Sequence, residues 1–170
     1  MPAGSQLAKK LDVGLGQVKR NVSGRLIAGI APEQWLFIGA QGVSFSMSGV
    51  ADDGDGAGPL ITIVSLTHST ALIRLVGHDS AKILRKLCGI NFDNRVTPNH
   101  FALRTSMARI VISLIREDVA AMGKRPIPSY LILCDRSAGQ YLFNILLDAG
   151  QEFEIDIQGF AHDDASLTSI

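Results

Sequence analysis

The sequence predicts an α+β domain in which an antiparallel or mixed sheet carries helices on one face. Three observations predict it. Runs rich in β-branched and aliphatic residues recur at Leu60–Leu66, Ala71–Val76, Ala108–Ile115 and Tyr130–Cys134. Two stretches instead space their apolar residues as a helix does, around Ile83 and around Leu142. From residue 70 the order is therefore strand, helix, strand, strand, helix, which is most of a split β-α-β-β-α-β unit.

Each element has a local reason. Arg25–Gly29 and Trp35–Gly39 read as short strands flanking the turn-forming Ala31-Pro32-Glu33. The run Ala51-Asp52-Asp53-Gly54-Asp55-Gly56-Ala57-Gly58-Pro59 reads as an exposed loop, because glycine adds backbone entropy and proline removes a donor. Leu60–Leu66 and Ala71–Val76 then read as strands buried on most sides, and Gly77 breaks the second. Asp79 or Ser80 caps a helix with Ile83, Leu84 and Leu87 on its buried stripe and Lys82, Arg85 and Lys86 on its wet face; Gly89 ends it. Residues 91–105 read as irregular. Ala121–Pro128, with Gly123, Pro126 and Pro128, reads as a hairpin loop between the last two strands. Asp135 or Ser137 caps a second helix, whose Leu142, Ile145, Leu146 and Ala149 fall on one face before Gly150 stops it.

Composition bounds the function. At 170 residues the chain is long enough for one domain with a core of its own. Sixteen basic and sixteen acidic side chains cancel, which argues against a protein that works by neutralising nucleic-acid phosphates. Only 19% of residues are charged, a share that fits either a plainly apolar protein or one with an extended partner interface. The charge is also uneven. Residues 1–25 hold five basic side chains against Asp12, and the chain from Asp148 onward holds six acids with no Lys or Arg. The expected organisation is a basic N-terminal arm over residues 1–24, one domain over 25–158 with loop 51–59 exposed, and a flexible acidic tail over 159–170. No secretory signal is expected, and no uncharged run is apolar enough to span a bilayer, so the expected setting is cytoplasmic. Cys88 and Cys134 accordingly read as reduced core residues.

Candidate chemistry is sparse. Gly14-Leu15-Gly16 lacks the third glycine and the preceding strand of a dinucleotide loop. Asp53 and Asp55 sit on a flexible loop but lack the further ligands of a calcium site. His68, His78, His100 and His162 have no zinc-ligand spacing, so no metal is expected. His68-Ser69 is not a nucleophile elbow, and His68 reads as structural. Arg74 stands out in an apolar strand: it reaches a carboxylate or a ligand, or lays its stem past the sheet edge. The lone Trp35, beside Leu36, Phe37 and Ile38, reads as core; exposed, it would be an interface anchor. No catalytic residue is assigned, and His68 and Arg74 are the weak binding candidates.

Several of these stretches also resemble a known family. Ala31-Pro32-Glu33-Gln34-Trp35-Leu36 resembles the Gly-Pro-Asp-Glu-Trp-Leu segment of the gamma subunit of heterotetrameric sarcosine oxidase. Thr67-His68-Ser69 followed by Leu72–Ala81 is similar to that family's Ser-His strand and Gly-Pro-x-Ala helix start. Lys86-Leu87-Cys88-Gly89-Ile90-Asn91-Phe92-Asp93 is similar to its Lys-Gly-Cys-Pro segment, and Arg136-Ser137 with Tyr141-Leu142 to its terminal helix. The resemblance runs from about residue 20 to 155. A looser likeness extends to the folate-binding domain of aminomethyltransferases.

The resemblance implies an aminomethyltransferase-like fold and a non-catalytic assembly subunit. It implies alpha, beta and delta subunits as partners, in a complex that oxidatively demethylates sarcosine to glycine. FAD, FMN, NAD and tetrahydrofolate then belong to the larger subunits. Neither nucleic acid nor membrane is an expected partner. Two departures bear on chemistry: Ser65 and Leu66 stand where the family often has an Asp, and Gly89 stands where it has Pro. Two alternatives stay open. One is a stand-alone folate-dependent one-carbon transfer domain with Arg74 facing a folate carboxylate; the other is a generic interaction module.

Overall fold

In the computed structural model the described residues are 4–39, 61–122 and 125–159. The expected loop at 51–59, with its Asp53 and Asp55, and residues 160–170, with His162, lie outside them. The elements run α1 (Gly4–Leu11), β1 (Val18–Arg20), β2 (Leu26–Ala31), β3 (Gln34–Ile38), β4 (Thr70–Val76), α2 (Ser80–Leu87), β5 (Phe101–Met107), β6 (Ile110–Arg116), β7 (Ser129–Asp135) and α3 (Gly139–Gly150). They form a three-stranded sheet in the order β1-β2-β3 and a four-stranded sheet in the order β4-β7-β6-β5, with every strand pair antiparallel. The α+β class with helices on one sheet face stands.

Register sorts the four-stranded sheet into two faces. Ala71, Ile73 and Leu75 of β4 lie opposite Cys134, Ile132 and Tyr130 of β7, and Ile112 and Leu114 of β6 continue that inner face. Ile83 and Leu84 of α2 and Leu142, Leu146 and Ala149 of α3 pack on it and close the main core. The periodicity of both helices thus reports their buried faces correctly. α3 takes its start from Asp135, whose carboxylate accepts the Ser137 N–H at 2.9 Å before a 3₁₀ turn leads into the helix. α3 ends at Gly150 as expected, and the glycine is also needed for packing, since a Cβ there would overlap Ile155.

The split β-α-β-β-α-β reading needs three corrections. Residues 101–107, within and just beyond the stretch read as irregular, form β5. β5 and β6 make a hairpin whose two turn residues, Ala108 and Arg109, both take positive φ (47° and 69°), so the strand read as starting at Ala108 starts at Ile110. Such turns are usually announced by Asn-Gly. Here tertiary contacts hold the turn, with Ala108 N–H donating to Leu87 O at 3.0 Å. From β4 the order is therefore β-α-β-β-β-α. The third correction concerns the described part of the Leu60–Leu66 run: residues 61–66 form no strand and are largely exposed. β-propensity measures fit to a pleated, half-buried surface, and no described strand offers this run a partner.

The stretch expected as a basic arm folds in from Val13 onward. Val13 and Val18 are buried, and β1 pairs with β2. Between them, Gly14-Leu15-Gly16-Gln17 threads between the two sheets. Gly16 N–H donates to Gly29 O at 2.8 Å, Gly29 N–H to Gln17 O at 3.0 Å and Ala102 N–H to Gly16 O at 2.9 Å. Gly16 has φ +78° with the Phe101 ring at its back, and a Cβ on Gly29 would overlap the Gly14 carbonyl. The two glycines that suggested a phosphate loop are thus a strap stitching β2 to β5.

Candidate functional site

The outer face of the four-stranded sheet carries Thr70, Leu72, Arg74 and Val76 of β4 opposite Asp135, Leu133, Leu131 and Ser129 of β7. β6 adds Val111, Ser113 and Ile115, and β5 adds Ala102, Arg104 and Ser106. One part of this face is covered. Val18, Leu26 and Ala28 of the three-stranded sheet bury Ala102, Ile115 and Leu131 beneath them. The rest is open. Leu72 is 48% exposed and Val111 59%, and Leu133 between them packs half-buried against the covered cluster. The covered part is wholly aliphatic, whereas the open part sets Leu72, Leu133 and Val111 among Thr70, Arg104, Ser106, Ser113 and Asp135.

A charged cluster closes the covered end. Glu117, with its side chain 9% exposed, follows directly on β6. Arg20 on β1 grips both its carboxylate oxygens, with Nη2 donating to Oε2 at 2.9 Å. Arg74 on β4 donates from Nη2 to the same Oε2 at 3.4 Å. One carboxylate thus serves two guanidiniums, and a positive charge is left over. Beside it, on the inner face, Arg116 pairs with Asp118 at 2.9 and 3.0 Å and donates to Thr97 O at 2.6 Å and Asn94 Oδ1 at 2.7 Å. That second pair is nearly dry and internally satisfied, and Arg116 lies over the Tyr130 ring. Burial pushes the Tyr130 hydroxyl up from its ordinary range, against the opposing pull of Arg116.

The two candidates read from the sequence do not meet. His68 is exposed in the turn before β4, where its carbonyl accepts from Arg136 Nη1 at 3.2 Å. Arg74 lies four residues into β4, about 13 Å from Thr70 at strand spacing. Of the readings open for Arg74, the carboxylate is found, and it is Glu117 of the same chain. Sequence reasoning did not single out Glu117; its only signal was the charged triplet Arg116-Glu117-Asp118 closing an apolar strand. Trp35 is half-buried, and its indole Nε1–H donates to Val13 O at 2.9 Å, holding the strap against β3. Cys134 is buried, and burial followed by the neighbouring Asp135 raises its thiol, so it has little thiolate character. Among the described residues no three His, Cys, Asp or Glu side chains gather as metal ligands would, and no helix is long and apolar enough to cross a membrane.

Fold and site together define a small α+β module whose strongest polar groups tie its own elements together while part of one sheet face stays bare. No family model matches the chain. Sarcosine oxidase subunit gamma of Corynebacterium sp. (strain P-1) is 27% identical over 151 residues, covering 86% of this chain and 69% of that protein. A chain of the heterotetrameric sarcosine oxidase from Corynebacterium sp. U-96, solved in complex with pyrrole 2-carboxylate, matches with a TM-score of 0.66 at 22% identity. That match covers 93% of this chain and 78% of the other. The resemblance to the gamma subunit of heterotetrameric sarcosine oxidase is therefore real in sequence, and the fold is shared with a chain of such an enzyme.

Proposed function

We propose that this chain is a small, non-catalytic subunit of a sarcosine-oxidase-like complex, in which it serves assembly. The observation that carries the reading is the relationship to a sarcosine oxidase gamma subunit over 86% of the chain. The bare apolar sheet face supports it, since such a face asks for cover. In this reading alpha, beta and delta chains are the partners. They hold FAD, FMN, NAD and tetrahydrofolate and carry out the oxidative demethylation of sarcosine to glycine. The aminomethyltransferase-like character of the fold then persists here without its folate chemistry. The folate alternative rests on Arg74, which donates to Glu117 of this same chain.

Co-expression with the larger sarcosine-oxidase-like chains of the same organism tests the proposal. The expected result is one flavin-containing species that includes this chain, with lower yield or activity when it is omitted. A fully active, stable complex assembled without any incorporation of this chain would overturn it.

A further inference from the structure

We infer that the docking surface for a larger subunit is the open part of the outer sheet face, together with the arm formed by residues 61–66 that leads into it. The inference rests on the subunit reading above and deepens it by naming where the partner sits and what it must present.

Four observations converge. First, Leu72, Leu133 and Val111 are contiguous by register, since Leu72 faces Leu133, Leu133 faces Ser113, and Val111 is the next outward residue of β6. Second, β4 ends the strand order, and among the described residues nothing pairs with its free edge. Its sequence Thr-Ala-Leu-Ile-Arg-Leu-Val has no Pro or Lys of the kind that blunts natural edges. Third, Ile61-Thr62-Ile63-Val64-Ser65-Leu66 has the composition of a buried strand yet lies largely exposed, with Val64 at 67%, and pairs with no strand among the described residues. It joins β4 through a tight turn in which Ser69 and Thr70 N–H groups donate to Leu66 O at 3.1 and 3.0 Å. Arm and bare face therefore meet at the same end of the sheet.

Fourth, Arg74 is only weakly held: its contact to Glu117 is long at 3.4 Å, and Arg20 of the covering sheet already grips that carboxylate, so Arg74, whose side chain is 35% exposed, can take a second carboxylate. An interface core of aliphatic residues around one arginine is the anatomy of a hot spot. The fitting occupant is a chain that offers a sheet edge to the arm, apolar side chains to Leu72 and Val111, and a carboxylate opposite Arg74.

The test uses the full chain co-expressed with the larger subunits, with Leu72→Lys and Val64→Pro tested separately. Both positions are exposed and outside the core, so the isolated variants should melt like the parent chain. Each is expected to weaken incorporation about tenfold or more, whereas Val22→Lys, in the distant β1–β2 turn, should not. Hydrogen exchange supplies a second reading: amides 61–66 should exchange fast in the isolated chain and slowly in the complex. If the parent assembles and both variants assemble equally well, the surface is wrong and the subunit role stands. If the parent chain itself does not assemble, both readings fall. Protection of amides 61–66 in the isolated monomer would mean that the chain covers its own face. Protection that appears only with concentration-dependent self-association would make the occupant a second copy. Either result overturns the inference.

Discussion

The covered and the open parts of the outer sheet face lie on one sheet and carry different residues. Ala102, Ile115 and Leu131 lie under a second sheet, while Leu72 and Val111, toward the other end and among polar side chains, are exposed. What separates them is the strap: Gly16 and Gln17 hydrogen-bond to Gly29, and Gly16 also bonds Ala102, which fixes the three-stranded sheet over one end only. Burial here is set by where the cover is stitched on.

The largest break of this contrast is expected at the stitch itself. Gly29→Ala would drive a methyl into the Gly14 carbonyl, a backbone atom that cannot swing aside. The variant should lose more than about 3 kcal/mol and expose the covered end as well. Urea unfolding and dye binding read both effects together; a stability near that of the parent would show that the strap is not what holds the sheets.

A paired substitution measures the contrast directly. Ile115 is fully buried, so Ile115→Ala should cost about 2–5 kcal/mol. Leu72→Ala, on the same face, should fall within about 0.5 kcal/mol. Equal losses in chemical denaturation would mean that the open end is packed in solution.

The shared carboxylate comes next. Glu117→Gln removes the charge that Arg20 and Arg74 share, and both arginines are partly exposed, so solvent softens the loss. A loss of about 1–2 kcal/mol is expected, shrinking as salt rises. A salt-independent loss would point to packing instead of charge.

The contrast also explains what the sequence could announce. α2 and α3 are legible because their signal is local: Ile83, Leu84, Leu142, Leu146 and Ala149 repeat at helical spacing and are all buried, whereas α1 falls in the stretch read as an arm. The β5–β6 hairpin was not legible, because its Ala108-Arg109 turn adopts positive φ without Asn or Gly and depends on Leu87 for support. The 61–66 run was misread for the opposite reason. Its composition is that of a buried strand, but a strand needs a partner, and composition cannot say whether that partner lies in the same chain. Arg74 was noticed while Glu117, 43 residues away, was not, since the pairing exists only once β4 and the end of β6 share a face. The spacing of Gly14 and Gly16 excludes a dinucleotide loop, but their role as a strap depends on Gly29, which is remote in sequence.

The smallest effect expected is at the junction where the open face turns into α3. Asp135 lies on that face opposite Thr70, and the hydroxyl and backbone N–H of Ser137 hold its carboxyl below the ordinary carboxylate range. A depressed folded value means that the unfolded chain binds the proton first on acidification. The stabilisation is therefore complete above the unfolded carboxylate value of about 4 and is lost as pH falls through the lower folded one. Asp135→Asn should remove this acid-side slope while leaving neutral stability nearly unchanged, because Asn also caps well. Denaturation curves of parent and variant across the acid range check it. Parallel curves would mean that the charge of Asp135 has no part in holding the junction, and that the turn bearing the arm and β4 is fixed by Arg136 through its bonds to Ser69 O and His68 O instead.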